Sequence, residues 1–277
     1  MKRVFPFIAG ALAAVATRAD VPTGLLLRFT FDEFRNGGMM LPDMTGSNNN
    51  GRVAGVRYAA AGRLGGGCEF SGKNSSVQVP SAPALNIRRG TFCTWFKTDK
   101  SPLPDRVLLE KGPDTGFALR VAGGDKEAAR KGKLIATVAG HDAFSNESVA
   151  DNAWHHAAAT FDGENLKLYV DGALQKQVTA WSGEMPGNTH DLTLGMNRSN
   201  PSSKEKEAAF EGLLDEVMLF NRALSEAEIK DVLSATKPKF TKQQVERRLA
   251  ELKDLFDRGL ILQDFYDRKV KECEVEK

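Results

Sequence analysis

The sequence predicts a mainly β protein: two stacked antiparallel sheets in a sandwich or jelly roll, followed by a short helical unit. Three observations point there. Short runs rich in β-branched and aromatic residues recur from about residue 25 to 220 between turn signals. No long amphipathic helix interrupts them, and 26 glycines are available for the tight turns that join strands. The 277 residues suffice for one large domain or two smaller ones, and 41% hydrophobic residues are too many for a disordered chain.

The runs fall at 25–31, 76–79, 91–98, 106–110, 117–122, 134–138, 154–161, 165–170, 173–179, 192–195 and 213–220. Leu166, Leu168 and Val170 alternate with Lys167 and Tyr169, the period of a half-buried strand. Gly123-Gly124, Asp162-Gly163 and Asp171-Gly172 supply the positive φ of hairpin turns. A short helix then closes the region. Ser225 is its N-cap, Glu228 completes a capping box, and Leu224 staples onto Ile229.

Residues 237–239, with Pro238, read as a hinge. Beyond it Thr241 and Gln244 form a second capping box, and Val245, Leu249, Leu252 and Phe256 make one apolar stripe. Gly259 is placed to end that helix in the left-handed conformation. A second helix carries Phe265, Tyr266 and Val270. Two helices of about 35 residues cannot bury their stripes alone, so they pack on the sandwich or on another copy, the basis for an expected homo-oligomer.

The N-terminus reads as an address. Lys2 and Arg3 precede an apolar run of about 13 residues, with small residues up to Ala19. That run is shorter than the roughly 20 residues that span a bilayer, and no later segment is long and apolar enough to do so. The chain is therefore expected to be exported to the periplasm, the cell surface or beyond, with no transmembrane span after cleavage. Across the whole chain 38 Lys+Arg face 36 Asp+Glu, and cleavage removes Lys2, Arg3 and Arg18. A chain this close to neutral has no basic face to displace counterions, which argues against nucleic acid as a partner. With 3 Cys and 4 His, a disulfide scaffold or zinc cluster has too few parts. Cys68 and Cys93 fall in strand segments, where export would let them pair or burial would leave them inert. Cys273, in the tail, is free to pair between copies.

Several motifs occur in a fixed order: Phe29-Thr30-Phe31-Asp32, Asp43-Met44-Thr45-Gly46-Ser47-Asn48, Gly62-Arg63-Leu64-Gly65 and Phe70-Ser71-Gly72. Thr94-Trp95, Trp154-His155-His156, Val170-Asp171-Gly172, Leu214-Asp215-Glu216-Val217 and Asn221-Arg222-Ala223-Leu224-Ser225 follow. On these, residues 24–235 resemble the laminin G-like, concanavalin A-like lectin/glucanase jelly roll of secreted bacterial proteins. The resemblance implies a mostly non-catalytic domain that binds glycans or proteins, often with a structural calcium held between the 43–51 loop and the Asp of the last long strand. The tail, through Leu249, Leu252, Gly259-Leu260-Ile261 and Tyr266, is similar to the short C-terminal (SHOCT) domain, which implies an oligomerisation or docking hairpin. Leu262 stands where that pattern has a capping Thr or Ser. The implied organisation is a signal peptide at 1–19, a jelly roll at 24–235, a linker at 236–240 and a helical hairpin at 241–277.

Asp215 is expected to share a strand face with Val217 and Leu219, with Leu214, Glu216 and Met218 opposite. A carboxylate on an apolar face must be paired, protonated or metal-bound. The 43–51 loop offers the oxygen donors that hard cations prefer. The candidate calcium ligands are therefore Asp43, Asn48, Asn50 and Asp215, with Asp32 a weaker one. The equal alternative is that Asp215 accepts backbone N–H bonds and the Asn run is a turn.

His155 and His156 are consecutive on a strand and point to opposite faces, so with Trp154 they read as structural. A retaining glycosidase needs two carboxylates about 5–5.5 Å apart, which on one strand means acids two residues apart. Asp215 and Glu216 are adjacent instead. No nucleophile elbow, phosphate loop or dinucleotide fingerprint occurs. A glycoside hydrolase is kept as a reading only because acids on separate strands can converge. For glycan binding, Trp181 is the best stacking aromatic, while Asp142, Phe144 and Asn146, placed in a loop at one end of the sandwich, would line a rim. The alternative for Trp181 is that it caps the core. The expected function is an exported, non-catalytic module that binds a polysaccharide or glycoprotein. A purely structural envelope scaffold that contacts proteins is the alternative.

Overall fold

The computed structural model describes residues 21–34, 37–99, 105–112, 114–123, 128–196, 209–237, 242–263, 266, 267 and 270. The expected signal peptide, Pro238, Thr241, Phe265 and Cys273 lie outside them. The strands are, in chain order, β1 (Leu25–Phe29), β2 (Met40–Leu41), β3 (Gly51–Ala54), β4 (Arg57–Ala59), β5 (Gly67–Ser71), β6 (Ser76–Val79), β7 (Gly90–Lys97) and β8 (Arg106–Lys111). Then come β9 (Phe117–Val121), β10 (Lys133–Val138), β11 (His141–Ser148), β12 (Trp154–Phe161), β13 (Asn165–Val170), β14 (Ala173–Ala180), β15 (Leu192–Leu194) and β16 (Glu211–Phe220). Two helices follow, α1 (Glu226–Ala235) and α2 (Lys242–Asp257).

Among the described residues these strands form two sheets, and every strand pair is antiparallel. The first runs β14-β13-β12-β7-β16-β5-β4, with β1 also on β16; the second runs β11-β10-β9-β8-β15-β6-β3-β2. Residues that alternate inward from both sheets fill the space between them, among them Leu27, Phe29, Phe92, Phe96, Phe117, Leu168 and Leu219. Phe92 of one sheet stacks on Phe117 of the other at 4.7 Å between ring centroids. The period of two read from the sequence is thus the period of this core.

Two expectations change. First, Asp142, Phe144 and Asn146 lie in β11, the edge strand of the second sheet, rather than in a loop. The strand HDAFSNES buries only Ala143 and Ser145 deeply, so its sequence carries little apolar alternation. Its free edge is blunted against β14: Thr179 Oγ1 donates to the Asp142 carbonyl at 2.7 Å, and the Lys176 N–H donates to Asn146 Oδ1 at 3.0 Å.

Second, β16 does not alternate evenly. Its register against β7 slips between Asp215 and Met218, and Glu216 has φ +48. This bulge adds one residue, so Leu214 and Val217, three apart, both face the inner core. Asp215 therefore leaves the face of Val217 and Leu219 and turns outward. The bulge also marks where β16 changes neighbour, from β5 at Glu211–Leu214 to β1 at Val217–Phe220. Glu216 pairs with Arg28 of β1 at 2.8 Å, with both side chains almost fully buried.

On the outer face of the first sheet, α1 buries Ile229 and Val232 against Cys93, Ala158, Tyr169, Met218 and Phe220. Each such aliphatic side chain contributes about 1.5–3 kcal/mol. The capping box forms as expected: Ser225 Oγ accepts from the Glu228 N–H, and the Glu228 carboxylate accepts from the Ser225 N–H. Cys68 belongs to the inner core and Cys93 to this outer cluster, and both are free thiols. They sit on opposite faces of one sheet, which rules out pairing in this fold. In the tail, α2 ends in a Schellman motif. Gly259 has φ +68, its N–H reaches the Phe256 carbonyl, and the Leu260 N–H reaches the Leu255 carbonyl. The chain then folds back far enough for Tyr266 to stack on Phe256 at 4.9 Å.

Candidate functional site

Asp215 organises a loop. Its Oδ2 accepts from the Arg63 and Leu64 N–H groups at 2.7 and 2.9 Å, and its Oδ1 accepts from the Glu216 N–H at 2.7 Å. Asp32 takes the Gly66 N–H at 2.8 Å, so two carboxylates hold the turn from Gly62 to Gly66. Gly62 is required by close approach: a Cβ there would sit 2.3 Å from the Gly66 carbonyl oxygen and 2.8 Å from Asp215 Oδ2. Burial pushes the Asp215 pKa up to about 8, the Leu64 donor pulls it down, and the neighbouring Glu216 raises it. The held turn lays the Arg63 guanidinium over the Trp95 ring at 4.4 Å, and Trp95 Nε1 donates to Thr236 Oγ1 at the end of α1. The bulge, the glycine loop and the helix terminus are thus one connected brace.

Asp43 does the same work in a different loop. Its Oδ1 accepts from the Arg28 N–H at 3.1 Å and the Thr45 N–H at 3.0 Å, and its Oδ2 from the Asn49 N–H at 3.1 Å. Thr45 Oγ1 lies 2.9 Å from both oxygens. Asn50 Oδ1 accepts from the Asp43 N–H, and its amide donates to Asn48 Oδ1.

Of the five expected calcium ligands, the structure therefore groups Asp43, Asn48 and Asn50 in one loop and Asp32 and Asp215 at another. The carboxylate oxygens of Asp43 and Asp215 are already engaged by main-chain donors. Among the described residues no three His, Cys, Asp or Glu side chains come close enough to hold a metal. A cation that takes 6–8 oxygens would have to compete with those main-chain donors at either loop. Thermal melting in calcium and in chelator is expected to give the same midpoint at millimolar metal. A rise of several degrees with calcium would contradict this arrangement.

The expected glycan residues do come together. Asp142 and Phe144, two apart on β11, share its outward face, while Asn146 lies where the register against β10 slips and accepts from the Lys176 N–H of β14; all three are half-buried. Asp142 Oδ1 accepts from Thr137 Oγ1 at 2.6 Å, and the Arg130 guanidinium covers the Phe144 ring at 4.2 Å. Trp181 lies between two rings: Phe161 of the core at 4.7 Å and His141, the first residue of β11, at 5.1 Å. One of its faces is therefore spent on the core, and the other lies beneath the exposed His141.

His155 and His156 point to opposite faces as expected. His155 bridges Asp171 at 2.8 Å and Asp151 at 3.1 Å, while His156 is buried edge-on to Trp95. Sequence reading passed over Lys111, whose ammonium is buried among four oxygens, the nearest the His190 carbonyl at 2.6 Å. It also passed over Glu110, fully buried beside Arg120 on the outer face of the second sheet. The available signal for both was a charge inside the otherwise apolar run 106–111.

A family model described as the concanavalin A-like lectin/glucanases superfamily matches residues 71–230. No curated protein matches the chain. Among solved structures, the binding domain of Paraclostridial Mosquitocidal Protein 1 is similar with a TM-score of 0.59 and 17% identity, over 76% of this chain and 52% of that one. Domain 4 of AbnA, a GH43 extracellular arabinanase from Geobacillus stearothermophilus in complex with arabinotriose, gives 0.57 and 19% over 76% of this chain and 98% of that domain. A sialidase from Trypanosoma rangeli in complex with sialic acid gives 0.56 and 19% over 78% of this chain and 33% of the enzyme. The chain thus spans about half of the first of these proteins and a third of the last. At these identities the likeness is one of fold. Among the described residues no helix is long and apolar enough to cross a membrane.

Proposed function

Because the chain belongs to the concanavalin A-like lectin/glucanases superfamily, we propose that it is an exported, non-catalytic recognition module for a polysaccharide or glycoprotein, its C-terminal helices serving in docking or assembly. The observation that carries this reading is the β11 surface, where the acid Asp142 and the aromatic Phe144 share the outward face, with the Asn146 amide farther along the strand and the His141–Trp181 stack beside them. Aromatic area flanked by a few fixed polar groups is what a hydroxyl-rich ring with one apolar face requires. Similarity to a domain seen with arabinotriose supports the ligand class.

A glycan array probed with the full chain tests the proposal. The expected result is binding to a defined set of glycans that falls at least tenfold for Phe144→Ala. That side chain lies outside the buried core, so its loss leaves the core intact. Trp181→Ala should reduce both binding and stability, because its ring also packs on Phe161. An array with no positive glycan, or binding unchanged in Phe144→Ala, overturns the reading. The second reading, a protein-contact scaffold, draws on Met39, Met40 and Met44, which stand 78%, 51% and 40% exposed near the opposite edge of the second sheet.

A further inference from the structure

At the end of the sandwich where β7 begins and β16 finishes, a hollow of about 480 Å³ opens between separate segments. Leu26 and Ile87 give it apolar surface; Asn86, Arg88, Arg89, Glu184 and Asn221 give it polar groups. It contains none of the β11 residues. Two consecutive arginines converge there on one carboxylate: Arg88 Nη1 lies 2.6 Å from Glu184 Oε2, and Arg89 Nη2 lies 4.0 Å from Glu184 Oε1.

The two arginines are not equally satisfied. Arg88 is hydrogen-bonded to Glu184, but the Arg89 guanidinium makes no hydrogen bond among the described residues beyond that long approach. It is nevertheless positioned, because it rests against Gly163, where a Cβ would meet its Nε at 2.9 Å. The Met185 N–H donates to the Arg88 carbonyl, which ties the segment carrying Glu184 to the arginine pair. Glu184 thus engages Arg88 and only approaches Arg89, leaving the pair with one positive charge in excess. A guanidinium fork matches the two oxygens of a carboxylate, while the amides of Asn86 and Asn221 and the apolar surface suit the hydroxylated ring that carries it.

The geometry points to this hollow as a subsite for an acidic saccharide, with the carboxylate of a uronic acid bound by Arg88 and Arg89 in competition with Glu184. It rests on the proposed function only in taking a sugar as the carrier of that carboxylate. Calorimetric titration of the full chain with trigalacturonic acid, its carboxyl-reduced trisaccharide and a sulfated neutral trisaccharide tests it. Trigalacturonic acid should bind, at least tenfold more weakly in Arg89→Met and about threefold or more tightly in Glu184→Gln, where the internal competitor loses its charge. Phe144→Ala should leave this affinity unchanged, which separates failure of the hollow from failure of the β11 face. No heat at millimolar trigalacturonic acid overturns the inference. So do equal binding of the carboxyl-reduced sugar, preference for the sulfate ester, or an Arg89→Met variant that binds like the native chain. The Arg89 and Glu184 side chains are more than 40% exposed, so their variants keep the fold.

Discussion

Above a pH of about 8, where the Asp215 carboxyl is ionised, Asp215→Asn is expected to destabilise the protein by about 2–3 kcal/mol, the range for a buried charge-assisted hydrogen bond lost together with an unsatisfied donor. The substitution keeps the shape of the side chain but turns one acceptor oxygen into a donor. Three N–H groups, from Arg63, Leu64 and Glu216, converge on the two oxygens of Asp215. With a single oxygen left, at least one buried N–H group faces another N–H. Urea unfolding measures the loss. Amide exchange at Arg63 and Leu64 should quicken more than exchange in β12, because the held turn opens before the sheet does. Trp95 fluorescence should change as well, since Arg63 lies on that ring only while the turn is held. If the variant matches the native chain within 0.5 kcal/mol, Asp215 does not brace the loop.

His156 has the second large expected effect, and it depends on pH. Burial lowers its pKa to about 4, and the nearby Asp171 opposes this while Lys237 and Arg63 add to it. Its Nδ1 is buried without a hydrogen-bond partner among the described residues, so the neutral ring is the form this site accepts. Between the unfolded value near 6.5 and the folded value near 4, the unfolded chain binds more protons than the native one, so acid takes stability away. A gap of about 2.5 units corresponds to about 3 kcal/mol at full extent.

His155 works in the opposite sense. Burial pulls its pKa down, but the hydrogen bonds and charge of Asp171 and Asp151 outweigh it and leave it raised. Its contribution is therefore fully present below about 6.5 and lost as pH rises through its folded value. Only a difference measurement isolates His156. His156→Phe should unfold with the native chain at pH 7.5 and gain on it steadily toward pH 4, by up to about 3 kcal/mol. Parallel stability curves across that window would show that the ring is not held neutral.

Elements governed by neighbours a few residues away were legible from the sequence. The capping box at Ser225 and Glu228, the left-handed Gly259, the Asp171-Gly172 turn and the alternation of Leu166 to Val170 each obey a local steric or hydrogen-bonding rule. That such strands stack into two sheets also followed, because half-buried strands must cover their apolar faces.

The bulge at Asp215 was not legible. It exists because β16 must satisfy β7 along one side while exchanging β5 for β1 along the other, and no pattern within LLDEVML records that exchange. Strand β11 was hidden because an edge strand with a solvated face loses the apolar alternation that identifies strands. The arginine hollow draws residues from four separated segments, and Arg88-Arg89 by itself is only a charged pair before a strand. By itself, then, the sequence determined which segments are strands, turns and helices and which of their faces seek a core, since those preferences are local. The tertiary structure alone decided where Asp215 points, which loops the carboxylates hold and which charges meet, since these depend on contacts between residues up to about 190 positions apart along the chain.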